Sequence, residues 1–221
     1  MVVVAGFDEA GRGPVLGPLV VCGVSVDEEI LAELALAGVK DSKRLSPKKR
    51  AALAQLVREQ SIQCVVEVVS PRKIDALRSR GVSLNLIEAR AFAKLVGKIH
   101  ADAYFMDAAD VNAARFGRLV MKMAGKPAAA CFSEHRADDS HVVVGASSIV
   151  AKVERDAHVA RLAELHGDVG SGYPSDPRTK RFLESYYLEH RSFPDFVRTS
   201  WATCAALVAK HTAKPLEKAL K

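Results

Sequence analysis

Apolar residues run almost unbroken from Val2 to Phe7 and again from Leu19 to Val26, with a Gly/Pro-rich turn between them. Runs of this kind, rich in β-branched residues and split by turn formers, predict two neighbouring antiparallel strands. Ile62, Cys64, Val66 and Val68 then alternate with Gln63 and Glu67, the period of two that marks a third strand. Between the second and third strands, Ser46 and Pro47 form an N-cap and N1 pair with Leu53, Leu56 and Val57 on one face, which predicts a helix. From Ser83 onward Leu84, Ile87, Ala91 and Leu95 make one stripe that Phe92, Val96 and Ile99 widen, the signature of a longer, core-facing helix.

Beyond residue 100 the pattern changes to short strand, then helix. AYFMD (Ala103 to Asp107) precedes a helical run that starts near Val111, with Asp110 placed to cap it. AAACF (Ala128 to Phe132) reads as a strand leading through a polar loop into ASSIVAKVERDAHVARLAEL, a long helix. Such alternation implies parallel strands with crossover helices, so the whole is an α/β chain with a mixed sheet: a three-strand meander, then two parallel strands. GSGYPSDPRT (Gly170 to Thr179) is dense in turn formers and is expected to leave the main core, with two further helices near Pro177 to His190 and Ser200 to His211. The expected division is a catalytic domain over 1–175 and a helical C-terminal extension over 176–221.

A length of 221 residues suits one core of ordinary size with a small appendage. The formal charge of +6 grows toward the C-terminus, where Lys210, Lys214, Lys218 and Lys221 are barely opposed. That excess fits a polyanionic partner, although it serves solubility equally well. Cys22, Cys64, Cys131 and Cys204 are scattered without a CxxC pair, as expected of reduced thiols in a cytoplasmic protein. The start lacks a basic n-region, and the longest apolar stretch is short and broken by glycine, so neither a signal peptide nor a membrane span is expected.

Candidate chemistry gathers at the carboxyl ends of the strands, where open α/β sheets form their clefts. Asp8 and Glu9 close the first strand, Asp107 the fourth, and Asp138 with Asp139 follows the fifth. Oxygen-only clusters suit Mg²⁺ or Mn²⁺, whereas zinc would call for histidine or cysteine partners. Taken singly, an acid after a strand is an ordinary turn or cap residue. Neighbouring side chains of a regular strand also point to opposite faces, so Asp8 and Glu9 serve one site only if the strand ends or twists there.

Gly11, Arg12 and Gly13 come next, where missing Cβ atoms let the backbone approach a phosphate or sugar. GFDEAGRG has P-loop spacing but lacks its Lys and hydroxyl, and the glycine spacing does not fit a dinucleotide fingerprint. A plain tight turn is the alternative. Lys40, Lys43 and Arg44 lie in KDSKRLSPKKR, a segment able to hold phosphates or simply to begin a solvated helix. Lys152 can pair with Asp156 one turn on. Tyr173 is either a lid on the core or a platform for a sugar or base.

GFDEAGRGPVLGPLV, GVKDSKRLSP, FMDAADVN, SEHRADDSHVVVGASSIVAKVERD and GSGYPSDPRT, in this order, resemble the ribonuclease HII family, its archaeal branch most closely. The resemblance implies a ribonuclease H-like fold, a five-stranded mixed sheet flanked by helices with a helical C-terminal extension. It implies endonucleolytic cleavage of RNA in RNA/DNA hybrids and at single ribonucleotides embedded in duplex DNA, leaving 5′-phosphate and 3′-hydroxyl ends. Asp8, Glu9, Asp107 and Asp138 would be the catalytic carboxylates, holding two Mg²⁺ or Mn²⁺ ions. Gly11, Arg12, Gly13 and Tyr173 would recognise the RNA-to-DNA junction, and Lys40, Ser42 and Lys43 would hold backbone phosphates. RAD at Arg136 to Asp138 stands where the family has KAD, and Asp139 adds a second acid there. The nearest alternatives are another nuclease of the same fold, of the resolvase type, and a non-catalytic hybrid-binding module. The expected protein is a monomer, and its tail, AKPLEKALK, carries no glutamine-plus-aromatic sliding-clamp motif.

Overall fold

A computed structural model describes residues 1–39 and 45–212. Its strands are β1 (Val3–Ala10), β2 (Leu19–Asp27), β3 (Gln63–Val69), β4 (Ala103–Asp107) and β5 (Cys131–Glu134). The helices among these residues are α1 (Ile30–Leu36), α2 (Pro47–Gln60), α3 (Pro71–Arg78), α4 (Leu84–Val96), α5 (Ala113–Ala124), α6 (Ala137–Ser140), α7 (Val142–His166), α8 (Pro177–His190) and α9 (Ala202–Thr212). The sheet order is β3-β2-β1-β4-β5. β1 and β3 each pair antiparallel with β2, while β4 joins β1 and β5 joins β4 in parallel. The expected mixed sheet is therefore present, with β1 at its centre.

Both faces of the sheet are covered. Val20, Cys22, Val24 and Val26 of β2 pack with Leu53 and Val57 of α2 and with Val144, Ile149 and Val150 of α7. Leu19, Val21 and Phe7 face the other way, onto Ile87, Phe92 and Leu95 of α4 and Phe116 of α5. Burial on both sides is why β2 reads as a continuous apolar run rather than an alternating one. At edge strand β3 the alternation holds for Cys64 and Val66, which pack on the α2 and α7 side, whereas Ile62 precedes the strand and is exposed, as is Val68, and Val65 and Val69 join the α4 side.

α1, α3 and the short α6 are additions to the sequence reading. α3 carries the same signal as α2, a serine N-cap followed by proline, with Ser70 accepting from the Lys73 amide at 3.3 Å. Residues 128–130 form a 3-10 turn, so the strand expected over AAACF begins only at Cys131. The cap of α5 is Asn112, which accepts from the Arg115 amide at 2.9 Å. Asp110 instead holds the turn before it, accepting from the Asn112 amide at 3.0 Å and from the Arg115 guanidinium. α7 starts at Val142, four residues ahead of the predicted ASSIV start.

GSGYPSDPRT leaves the two cores that cover the sheet, as expected, but packs against the turn after β1. The Gly172 carbonyl accepts from the amides of Val15 at 2.8 Å and Leu16 at 3.2 Å, and Thr179 is fully buried. The chain after α8 returns to the same place, with Gly17 donating to the Phe196 carbonyl and Arg198 to that of Val15. Val15, Leu16, Val169, Leu183, Val197 and Cys204 thereby share a small core of their own. Among the described residues no helix is long and apolar enough to cross a membrane.

Candidate active site

The close approach of α7 to β1 places the first acid. A Cβ on Gly6 would stand 2.3 Å from the Val143 carbonyl, so only glycine lets the helix lie this near, and the Ser147 hydroxyl donates to the Gly6 carbonyl at 2.7 Å. One residue on, Ser148 reaches the Asp8 carboxylate. Lys152, a turn later, donates to Ser148 Oγ at 2.7 Å and stands 4.0 Å from Asp138. This replaces the expected Lys152–Asp156 pair, because Arg50 and Arg155 take Asp156 at 3.1 and 3.2 Å.

β1 continues to Ala10, so Asp8 and Glu9 do lie within the strand, on opposite faces. What unites them is Asp107 at the end of the adjacent parallel β4, whose charge acts on both. Asp107 in turn accepts from the Ala137 amide at 3.3 Å and feels the charge of Asp138, buried in α6. The acids thus form a chain of pairwise neighbours. Among the described residues no group of three or more metal-ligating side chains is close enough to hold an ion without moving.

Their electrostatics suit a divalent cation nonetheless. Burial raises the Asp8 carboxyl to about 7, opposed by its hydrogen bond to Ser148 and reinforced by Asp107. Burial, then the charges of Asp8 and Asp107, push Glu9 well up as well, and Glu9 Oε2 is a buried oxygen with no hydrogen-bond partner. Asp107 is raised by burial and by Asp138. Hard carboxylate oxygens crowded together and partly buried, one of them orphaned, are the donor set that Mg²⁺ or Mn²⁺ takes.

Beside the acids lies a cleft of about 340 Å³ lined by Glu9, Ala10, Gly11, Arg12, Gly13, Arg50, Lys152, Arg155, Asp156 and Tyr173. The loop and the ring predicted to act together are therefore adjacent: a Cβ on Gly13 would sit 3.6 Å from the Tyr173 ring. Gly11 adopts φ +86°, and a Cβ there would meet the Pro18 carbonyl at 2.5 Å. The Arg155 guanidinium lies 5.1 Å over Tyr173 and donates to the Ser171 carbonyl at 2.6 Å. Arg12 is turned into the protein, where it donates to Asn85 at 2.8 Å and pairs with the fully buried Glu88 of α4. Lys40, Ser42 and Lys43 lie outside the described residues.

A family model described as Ribonuclease HII matches residues 5–204. The chain belongs to the ribonuclease HII family. Membership makes it a ribonuclease H endonuclease. The ribonuclease HII of Thermococcus sibiricus is 47% identical over 208 residues, 93% of this chain and 91% of that protein. The crystal structure of the ribonuclease H2 from Pyrococcus horikoshii OT3 matches with a TM-score of 0.89 at 40% identity, over 96% of this chain and 100% of that one. A chain of the PCNA:RNase HII complex from Archaeoglobus fulgidus matches with a TM-score of 0.81 at 39% identity, over 90% and 95%. The fold expected for ribonuclease HII is thus present, helical C-terminal segment included.

Several residues that shape this ribonuclease HII site escaped sequence reading. Ser148 shares a face of α7 with Lys152 and Arg155 in the sequence, but its hydrogen bond to Asp8 was not legible there. Asn85 and Glu88 looked like ordinary polar positions on a core helix, and Glu88 would be an anomaly there only once its burial is known. Arg198 and Trp201 gave no signal at all, since their partners lie more than 180 positions away.

Proposed function

We propose that this chain cleaves the RNA strand of RNA/DNA hybrids, and duplex DNA at single embedded ribonucleotides, leaving 5′-phosphate and 3′-hydroxyl ends. The observation that carries this reading is the adjacency of the acid cluster to a glycine loop whose carbonyls are tied back. Gly11 and Arg12 offer their carbonyl oxygens to Arg198 at 2.6 and 3.0 Å. In a trans peptide the following N–H points the opposite way, so the Arg12 and Gly13 amides face away from Arg198. Those amides can meet the ribose 2′-hydroxyl, the group that separates RNA from DNA, without a Cβ in the way. Tyr173 packs on the neighbouring deoxyribose.

Asp8, Glu9, Asp107 and Asp138 would hold divalent ions, Mg²⁺ or Mn²⁺, whose charge polarises the scissile phosphate and lowers the pKa of the attacking water. The chain's own part is position and field. Ser148 and the Asp107–Ala137 hydrogen bond fix two of the carboxylates, and Arg50, Lys152 and Arg155 add positive charge along the cleft for the phosphate backbone. Lys40, Ser42 and Lys43 are proposed to extend that phosphate track. A cytoplasmic location fits the free cysteines.

Product-end analysis on a DNA strand bearing one internal ribonucleotide, paired to DNA, tests the reading. Cleavage 5′ to the ribonucleotide, or at it, should occur with Mg²⁺ or Mn²⁺ and stop with chelator, while the all-DNA duplex stays intact. Intact oligonucleotide under both ions would refute catalysis, and cutting of the all-DNA duplex would point to a resolvase-type activity.

A further inference from the structure

Arg198 is the largest fully buried side chain of the described residues, and it is charged. Among the described residues its guanidinium makes no ion pair, although the charge of Asp75 acts on it. Every hydrogen bond it donates goes instead to one loop: Nε to the Gly17 carbonyl at 3.0 Å, and its two terminal nitrogens to Arg12 at 3.0 Å and Gly11 at 2.6 Å. Trp201 extends the grip, donating its indole N–H to the Gly13 carbonyl at 3.0 Å, with its ring 4.9 Å under the Arg198 guanidinium. Burying a guanidinium against neutral carbonyls is costly, and an apolar side chain would fill the same space more cheaply. Such a residue is explained by what it orients.

The segment that carries it is braced from behind. Both oxygens of Asp75 on α3 are engaged, one by the Thr199 amide and hydroxyl at 2.7 and 2.8 Å, the other by those of Ser200 at 3.2 and 2.6 Å. On the far side Arg198 donates its own amide to the Val15 carbonyl. Residues 198–201 therefore form a rigid bracket between α3 and the loop.

From this geometry we infer that Arg198, helped by Trp201, is the positioning residue of the ribose-reading loop: it holds the Gly11–Gly13 carbonyls so that the Arg12 and Gly13 amides are presented to the substrate sugar. Sugar selectivity is then set from the C-terminal segment, while the acids that carry the chemistry sit on β1, β4 and α6. The inference rests on the proposed role of the loop. Arg198 touches no reacting atom. Lysine cannot replace it, because one ammonium cannot span three carbonyls in the fixed fork that the guanidinium provides.

The test is steady-state cleavage of the single-ribonucleotide duplex, with unlabelled all-DNA duplex as competitor, by the wild type, Arg198→Lys and Trp201→Phe. The expected result is a fall of tenfold or more in kcat/KM for Arg198→Lys and of about threefold for Trp201→Phe, with the inhibition constant of the all-DNA duplex held within twofold. Unchanged kcat/KM, or a parallel loss of affinity for all-DNA duplex, would overturn the inference and leave Arg198 as structural filler. Should Arg198→Lys fail to give a cooperative melt, Trp201→Phe, which removes one N–H and little volume, decides alone. A wild type that ignores the ribonucleotide would defeat the proposed function itself, a result distinct from variants that retain its preference.

Discussion

The Ser147 hydroxyl donates to the Gly6 carbonyl at 2.7 Å across the closest contact between α7 and β1. That contact fixes the height of the long helix over the central strand, and with it the placement of Ser148 and Lys152 beside Asp8 and Asp138. Gly6→Ala would push a methyl into the Val143 backbone, which has no rotamer with which to yield. The variant is expected to lose about 1–3 kcal/mol of unfolding free energy or more, and urea denaturation measures it. A loss under about 1 kcal/mol would mean that α7 can shift freely.

In the metal-free protein Asp8 titrates near 7, against 3.8 for an unperturbed aspartate. Between those values the folded state keeps a proton that the unfolded chain has released, so this contribution to stability is full below the lower value and lost as pH rises through the upper one. Glu9 and Asp107 are displaced in the same direction. Thermal melts in chelator should therefore show Tm declining from pH 5.5 to pH 8, and Mg²⁺ should reverse the decline at the upper end. A Tm that rises across that range would contradict the burial of these acids.

Asp107→Asn removes one negative charge from the chain of acids while keeping an oxygen for the Ala137 amide. If Asp107 holds a metal ion as proposed, cleavage should fall at least about a hundredfold. The metal-free fold should be as stable as the wild type or slightly more so. Strong destabilisation in chelator would reassign Asp107 as a structural acid.

Arg12 and Glu88 form a pair of unequal burial, with side-chain exposures of 36% and 0%. Arg12→Ala strands the Glu88 carboxylate in the core, at a cost of about 2–3 kcal/mol, less than for a fully enclosed pair because water can follow the lost side chain. The double variant Arg12→Met, Glu88→Leu should recover most of that stability. A double-mutant cycle with no coupling would show that the pair is incidental.

Tyr173 is 41% exposed, so Tyr173→Ala should cost about 1 kcal/mol or less in folding. Cutting at a single embedded ribonucleotide should nonetheless drop tenfold or more. If it did not, the ring would be no more than a cover for Gly13 and Arg155.

The apolar pattern announced β1, β2, α2, α4 and α8, because those elements bury a face against their immediate neighbours and their caps are local. That Asp8, Glu9, Asp107 and Asp138 come near one another was legible by a related rule, that clefts gather where strands end; their role as metal ligands is a proposal. α3 was missed despite its Ser70-Pro71 start, since eight residues show too little periodicity to stand out. Asp110 looked like the cap of α5, but the competing Asn112 two positions later closes the helix better, and only backbone geometry distinguishes them.

Other features belonged to the tertiary structure alone. Whether adjacent side chains on one strand share a site depends on what lies beside that strand, and here the parallel pairing of β4 with β1 brings Asp107 within electrostatic reach of both Asp8 and Glu9. The direction of Arg12 was equally unreadable, because its partner Glu88 lies in a helix whose register against β1 no local pattern specifies. Arg198 is the extreme case: local spacing encodes helices and strands through periods of a few residues, whereas a guanidinium meeting a carbonyl 187 positions away depends on the whole path of the chain between them. The sequence by itself determined the elements and the chemistry available; the packing of α7, α3 and the C-terminal segment decided which of those groups face one another.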